Sequence, residues 1–119
     1  MRRILVIEDE PRIAAFIEKG LRSEGFTPTV ATDGVTGLDY AVSGEFDLAV
    51  LDIGLPGMDG YQLARLLRAD TRFSAIRLVA LTGYGHQTDK QRALDAGFDV
   101  HLVKPIELDK LARILGQPA

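Results

Sequence analysis

Five side chains that can bind or transfer a charged group follow the ends of predicted strands. Glu8 and Asp9 come directly after the first apolar run of the chain, and Asp52 comes directly after the third. Thr82 and Lys104 follow the fourth and fifth runs. The carboxyl ends of parallel strands form one edge of a sheet, where ligands collect. We therefore expect three carboxylates, a hydroxyl and an ammonium group to converge in one crevice.

The three carboxylates indicate a metal site. Crowded carboxylates repel one another, which raises the pKa of at least one, and a hard divalent cation relieves the repulsion. Mg²⁺ (or Mn²⁺) takes oxygen ligands, and Mg²⁺ usually keeps several of its waters. We predict that Asp9 and Asp52 bind the ion directly, that Glu8 acts through a water molecule, and that the Gly54 carbonyl is a third protein ligand.

The same residues suit phosphoryl chemistry. A carboxylate beside a metal ion can act as a nucleophile and form an aspartyl-phosphate, which is the role we predict for Asp52. Phosphoryl transfer requires neutralisation of the charge on the equatorial oxygens. Lys104 would supply a positive charge, Thr82 a hydroxyl donor and Gly83 a backbone N–H.

Each residue taken alone also has a simple structural interpretation. Acidic residues favour a helix N-terminus, which would explain Glu8 and Asp9, and an aspartate can cap a loop, which would explain Asp52. Thr82 can be a β-branched strand end and Lys104 a solvated lysine. Asp59 follows no strand and is expected to be a turn or cap residue. The coincidence of the other signals at the ends of four adjacent strands favours the functional interpretation.

Strand and helix patterns alternate along the whole chain. Five βα units with short connections predict an α/β fold, a five-stranded parallel sheet in the order 2-1-3-4-5 with helices on both faces. This is the flavodoxin-like, doubly wound architecture. Pro28 weakens the second strand and suggests that it lies at an edge. The predicted strands are 4–7, 26–31, 47–51, 76–81 and 99–103, and the last three helices are predicted at 60–69, 87–96 and 107–115.

Each helix is predicted to bury one apolar stripe. The fourth helix is polar, with Ala93 and Leu94 as its main apolar contacts, so we expect it to be loosely held. The residues expected to face inward elsewhere are Ile13, Phe16, Ile17 and Leu21 in the first helix, Val35, Leu38, Ala41 and Val42 in the second, Leu63, Leu66 and Leu67 in the third, and Leu108, Leu111, Ala112 and Leu115 in the fifth.

Composition limits the class of protein. The 119 residues fit a single domain, 1–119, and the absence of cysteine excludes disulfides and thiolate metal sites. There are 17 acidic and 14 basic residues, and the arginines are scattered, so nucleic-acid binding has little support. No apolar run approaches the roughly 20 residues of a membrane span. We expect a cytoplasmic protein that contacts neither a membrane nor nucleic acid.

Together these residues closely resemble the receiver domain of bacterial two-component response regulators. The resemblance covers about Arg3 to Leu115. Only the run after Asp52 is specific by itself, but the set in this order is very specific. The matching features are Glu8-Asp9, Asp52-x-x-Leu55-Pro56-Gly57-Met58-Asp59-Gly60, Thr82 and Lys104-Pro105.

The resemblance implies a signalling switch rather than an enzyme. Asp52 would accept a phosphoryl group from a phosphohistidine on a sensor histidine kinase or a histidine phosphotransfer protein. Asp9, Asp52 and the Gly54 carbonyl would hold Mg²⁺, Thr82 would move toward the phosphoryl group, and Lys104 would pair with it.

Further expectations follow from the same resemblance. The peptide before Pro105 would be cis. Phosphorylation would shift the face formed by the fourth helix, fifth strand and fifth helix, and the first helix, with Ala14 and Ala15, would dock the kinase. The chain would be a receiver without an effector domain, and a monomer or weak dimer.

Two departures from the family pattern alter these expectations. The switch position three residues before Lys104 is usually Tyr or Phe, and here it is His101. This predicts a weak or pH-sensitive switch, although His101 is equally explained as a polar residue at a strand end. Gly54 and Tyr84 stand at the positions that tune dephosphorylation. Gly54 has no side chain to place a water molecule, and Tyr84 could shield the phosphoryl group, so we predict slow self-dephosphorylation.

Several alternatives remain open at this stage. The first half resembles receivers of DNA-binding response regulators and the second half those of hybrid sensor kinases, which ordinary divergence or recombination would explain. A haloacid-dehalogenase-type phosphohydrolase uses similar groups, but its nucleophile follows strand one in an Asp-x-Asp pattern that Glu8-Asp9-Glu10 does not fit. A phosphorylation-independent interaction domain would have been expected to lose a site residue. A flavodoxin-like cofactor binder would meet an acidic first loop that repels phosphate.

Overall fold

The computed structural model confirms the predicted architecture. It describes residues 3–44, 46–55, 57–72, 76–83, 87–104 and 106–116, without the side chains of 87–90 and 108. Five parallel strands form one sheet in the order β2-β1-β3-β4-β5. The strands are β1 (Arg3–Ile7), β2 (Thr27–Ala31), β3 (Leu48–Asp52), β4 (Arg77–Thr82) and β5 (Val100–Val103), and the helices are α1 (Pro11–Ser23), α2 (Gly34–Ser43), α3 (Gly60–Ala69), α4 (Gln87–Ala96) and α5 (Leu108–Gly116).

Two apolar layers cover the two faces of the sheet, because successive side chains of a strand point to opposite faces. In β1, Ile4 and Val6 belong to the layer beneath α1 and α5, whereas Leu5 and Ile7 belong to the layer beneath α2, α3 and α4. All four side chains are fully buried. The continuous apolar runs of the sequence therefore reflect burial on both faces, as expected for a parallel sheet.

The predicted helix stripes were too wide. Small residues such as Ala14 and Ala64 are buried and let the helices approach the sheet closely. Large residues to the side of these contact lines then lie outside the core. Five residues expected to face inward are exposed instead: Phe16, Val35, Val42, Leu66 and Leu94.

The fourth helix contacts the rest of the protein through small buried residues and an arginine rather than through Leu94. Ala93 and Ala96 are buried, and Leu94 is 59% exposed. The Arg92 guanidinium lies over the ring of Tyr61 in α3, 4.4 Å from the ring centroid. The loose attachment expected for this helix stays a prediction.

Candidate functional site

The carboxyl ends of neighbouring strands bring the predicted site residues to one edge of the sheet. Asp52 pairs with Leu81 of β4, and Thr82 pairs with Val103 of β5. Glu8 directly follows the last residue of β1, which lies beside β3. Groups from separate parts of the sequence therefore meet because parallel strands end together.

Asp52 is the last residue of β3, and it is 6% exposed. Its Oδ1 accepts a hydrogen bond from the Gly54 N–H at 3.0 Å, and its Oδ2 lies 3.2 Å from Lys104 Nζ. Burial alone would raise the pKa of this carboxyl, but the Gly54 N–H, Glu8 and Lys104 together hold it below its ordinary value. Asp52 is therefore a carboxylate at neutral pH, as a nucleophile or a metal ligand must be.

Glu8 is fully buried beside Asp52. Its Oε1 lies 2.8 Å from Lys104 Nζ, and its Oε2 accepts a hydrogen bond from the Glu10 N–H at 3.0 Å. Burial raises the pKa of Glu8 to about 7, with Asp52 adding to the rise and Lys104 opposing it. The two neighbouring carboxyl groups thus differ in proton affinity, and the pair carries fewer negative charges near neutral pH than two free acids.

Asp9 completes an acidic cluster with Glu8 and Asp52. One carboxylate oxygen from each residue lies within 4.8 Å of the other two, and Asp9 is the exposed member. The structure therefore brings together the three side chains predicted to surround a metal ion. Gly54, predicted as a carbonyl ligand, is in the loop directly beyond Asp52 and is tied to it by the hydrogen bond from its own N–H.

Lys104 connects β5 to the acidic cluster. Its backbone N–H donates to the Thr82 carbonyl at 2.8 Å, and its ammonium group forms ion pairs with both Glu8 and Asp52. Burial opposes the charged form, but the two carboxylates outweigh it and raise the pKa of Lys104. Lys104 is therefore a positive charge held beside Asp52 Oδ2 and Glu8 Oε1.

Thr82 reaches the same edge, but its hydroxyl is turned toward β5. The side chain is fully buried, and Oγ1 lies 3.5 Å from the Leu102 carbonyl, at the outer limit for a hydrogen bond. Gly83 follows it and is exposed. His101 lies partly exposed in β5, opposite Ala80 of β4.

Three further residues have different outcomes. Asp59 was expected to be a turn or cap residue, and it caps α3: its side chain accepts from the Gln62 N–H at 2.9 Å. Tyr84 and Pro105 lie outside the described residues. The shielding by Tyr84 and the cis peptide at Pro105 stay predictions.

Sequence reasoning missed a cavity beside the acidic cluster. It has a volume of about 460 Å³, and Lys104 lines one side of it. The other lining residues are Arg12, Ile13 and Phe16 of α1, and Ile106. Arg12 beside apolar residues of α1 was a possible signal of this cavity. The helical spacing instead led to the prediction that Phe16 lies in the core, whereas it is 48% exposed.

A family model described as the response regulator receiver domain matches residues 4–115. The chain belongs to this family. Members of the family are the phosphoacceptor switches of two-component signalling systems. The resemblance read from the sequence is confirmed for this receiver domain.

Known proteins agree with the assignment. The chain is 38% identical over 115 residues to "Response regulator ArlR" of Staphylococcus epidermidis. The aligned region covers 96% of this chain and 51% of that protein. A similar solved structure is the receiver domain of sensor histidine kinase PA1611 from Pseudomonas aeruginosa, which was solved with a magnesium ion coordinated in its active site cleft. Its TM-score is 0.89 and its sequence identity 35%, and the match covers 96% of this chain and 93% of the other. Response regulator TrrA from Thermotoga maritima, in complex with Mg²⁺-BeF, has a TM-score of 0.86 and 32% identity, covering 97% and 96%.

The receiver domain spans about half the length of the curated relatives it matches. Similarity to both a regulator and a kinase receiver extends over nearly the whole chain. Recombination from two receiver types therefore stays a prediction.

No helix within the described ranges is long and apolar enough to span a membrane.

Proposed function

We propose that Asp52 is the phosphoacceptor of this receiver domain. The observation that carries the proposal is the placement of its Oδ2 at 3.2 Å from Lys104, beside Glu8 and Asp9. A carboxylate oxygen of Asp52 attacks the phosphorus of a phosphohistidine on the partner protein. A P–O bond forms, the P–N bond breaks, and the released imidazole takes up a proton.

The acidic cluster suits Mg²⁺ or Mn²⁺. Three carboxyl groups face one ammonium group here, and burial has already raised the pKa of Glu8 to about 7. Asp9, Asp52 and the Gly54 carbonyl would hold the ion, with Glu8 acting through a water molecule. When bound, the ion would neutralise negative charge on the phosphoryl oxygens.

The neighbouring donors have separate roles in this proposal. Lys104 exchanges its contact with the free Asp52 carboxylate for one with a phosphoryl oxygen, while its ion pair to Glu8 keeps it at the site. The Gly83 N–H donates to a second oxygen. Thr82 is engaged only weakly with Leu102, so its hydroxyl can rotate to a stronger acceptor at small cost.

Rotation of Thr82 would carry the signal to β5. The hydroxyl leaves the Leu102 carbonyl, next to His101, and the face formed by α4, β5 and α5 shifts its population. Because imidazole titrates near neutral pH, phosphorylation-dependent partner binding is expected to differ between about pH 6 and about pH 8. Identical binding at both values would contradict a pH-sensitive switch.

A sensor histidine kinase or a histidine phosphotransfer protein is the proposed phosphoryl donor. The cavity beside Lys104 gives a donor protein a place to dock on α1, because Ile13 and Phe16 offer apolar surface and Arg12 offers a charge. This extends the expected docking region from Ala14 and Ala15 to the neighbouring lining residues. We also propose that the domain itself contacts no nucleic acid.

Intact-mass spectrometry after incubation with acetyl phosphate tests the proposal. We expect one added phosphoryl group that requires Mg²⁺ and is labile to hydroxylamine. Asp52→Asn should abolish the adduct, whereas Asp39→Asn, at an exposed position of α2, should not. An adduct that persists in Asp52→Asn contradicts the assignment. Catalytic hydrolysis of a generic phosphomonoester by the protein would instead favour the interpretation that it is a phosphohydrolase.

A further inference from the structure

The loop between β3 and α3 determines how Asp52 and Gly54 present their oxygen atoms. Its first residue, Ile53, donates its N–H to the Leu81 carbonyl at 3.1 Å. Near the other end, Met58 is partly buried against the core layer beneath α2, α3 and α4. A displacement of this loop would therefore change the acceptor site without removing any of its residues.

Gly34, the first residue of α2, packs against this loop with no space for a side chain. A Cβ atom at this position would overlap the carbonyl oxygen of Met58 and would lie 3.1 Å from its carbonyl carbon. These are backbone atoms, so they cannot rotate away as a flexible side chain would. The φ angle of Gly34 is not in the left-handed region, so the close approach, rather than the backbone conformation, requires glycine.

Movement of α2 away from the sheet would make space only by opening a gap in the core layer beneath it. Gly37, one turn further along, lies so close to the side chain of Ile7 that a Cβ atom there would overlap it. Asp33 caps the helix and accepts hydrogen bonds from the Thr36 N–H at 2.7 Å and from its hydroxyl at 3.0 Å. A methyl group at Gly34 would therefore be accommodated mainly by displacement of the loop.

A second glycine fixes the other end of the loop. A Cβ atom at Gly60, the first residue of α3, would lie 2.7 Å from the Asp52 carbonyl oxygen and 2.8 Å from Ile53 Cα. The loop is thus confined between the first residues of two helices. Since core regions are packed without free space, such contacts transmit small displacements.

We propose that Gly34 is a positioning residue for Asp52 and Gly54, although none of the residues placed in the candidate site lies on α2. The close approach of α2 sets the position of the β3–α3 loop and, through it, the geometry of the metal ligands. The metal-binding part of this inference rests on the proposed function; the positioning of the loop does not.

Gly34→Ala is the test variant, and Gly44→Ala is its matched control. Gly44 ends the same helix, and a Cβ atom there would lie 2.9 Å from the side chain of Phe46, which can shift, and 3.2 Å from the Tyr40 carbonyl oxygen, without the overlap found at Gly34. Mg²⁺ affinity is measured by NMR titration without a phosphoryl donor, and hydrogen exchange is measured at the Gly54 amide. We expect Gly34→Ala to weaken Mg²⁺ binding about tenfold, in the range seen when residues that support metal ligands are changed. We also expect faster Gly54 exchange, with Gly44→Ala close to wild type in both measurements.

A folded Gly34→Ala protein with wild-type Mg²⁺ affinity and wild-type Gly54 exchange would overturn the inference. If that variant does not fold, Asp33→Ala replaces it, because this change loosens the first turn of α2 without adding volume. Faster Gly54 exchange in Asp33→Ala supports the inference, and unchanged exchange overturns it. A wild-type protein that binds no Mg²⁺ would refute the proposed metal site, whereas the Gly54 exchange would still decide the role of Gly34.

Discussion

Replacement of Glu8 by glutamine should change how the stability of the protein depends on pH. Glu8 is fully buried, its Oε1 lies 2.8 Å from Lys104, and burial raises its pKa from the ordinary value of 4.5 to about 7. Glutamine has nearly the same shape and no proton to lose. The variant therefore removes the ionisation of Glu8, together with its effect on the pKa values of Asp52 and Lys104.

The expected size follows from the two pKa values. The folded state binds the Glu8 proton more tightly than the unfolded state does, so this proton stabilises the fold. The stabilisation is complete below about pH 4.5 and is lost as the pH rises through about 7. Because a tenfold change in proton affinity is worth about 1.4 kcal/mol, the loss amounts to about 3 kcal/mol for the rise from 4.5 to about 7.

Urea unfolding between about pH 4 and about pH 8, in the presence of a chelator, measures this effect. The free energy of unfolding of the wild type, relative to Glu8→Gln, should fall by about 3 kcal/mol across that range. Excess Mg²⁺ at the alkaline end should then stabilise the wild type more than the variant. A difference between the two proteins that does not vary with pH would refute the reasoning.

Three further predictions concern the site and its supports. Lys104→Met leaves Glu8 and Asp52 without their ammonium partner, so it should lower the free energy of unfolding by about 2 kcal/mol or more at alkaline pH and by less in acid. In the same urea titrations, the control Lys110→Met, at an exposed ion pair, should lower it by well under about 1 kcal/mol. Asp59→Ala removes the cap of α3 and should lower the free energy of unfolding by about 1 kcal/mol, and an unchanged melting curve would contradict the capping contact. The phosphorylated domain should lose its phosphoryl group slowly in mass-spectrometric time courses, and a lifetime of only seconds would contradict the slow dephosphorylation predicted from Gly54.

The sequence was sufficient to predict the order of the strands and the meeting of the acidic residues. Asp52 was placed correctly because a buried apolar run and a turn signal mark the end of β3, and because parallel strands end at a common edge. Two strands end one residue later than predicted, β3 at Asp52 and β4 at Thr82. These ends depend on the ladders to the neighbouring strands, which pair Asp52 with Leu81 and Thr82 with Val103 and which a single strand pattern does not reveal.

Side-chain geometry and helix exposure were less predictable. Phe16 and Leu66 have the spacing of core residues, but the small residues beside them determine which side of each helix contacts the sheet. The contact of Lys104 with Glu8 joins residues nearly a whole chain apart, and the direction of the Thr82 hydroxyl depends on the Leu102 carbonyl of another strand. Neither contact leaves a local pattern in the sequence.

The most direct test of the central claim is to locate the phosphoryl group on the chain. Borohydride reduction converts an aspartyl-phosphate to homoserine, and tandem mass spectrometry of the digested protein then shows which residue was modified. The account predicts homoserine at position 52 only, after treatment with a phosphoryl donor and Mg²⁺. Modification at Asp9, or at another carboxyl group in place of Asp52, would contradict it.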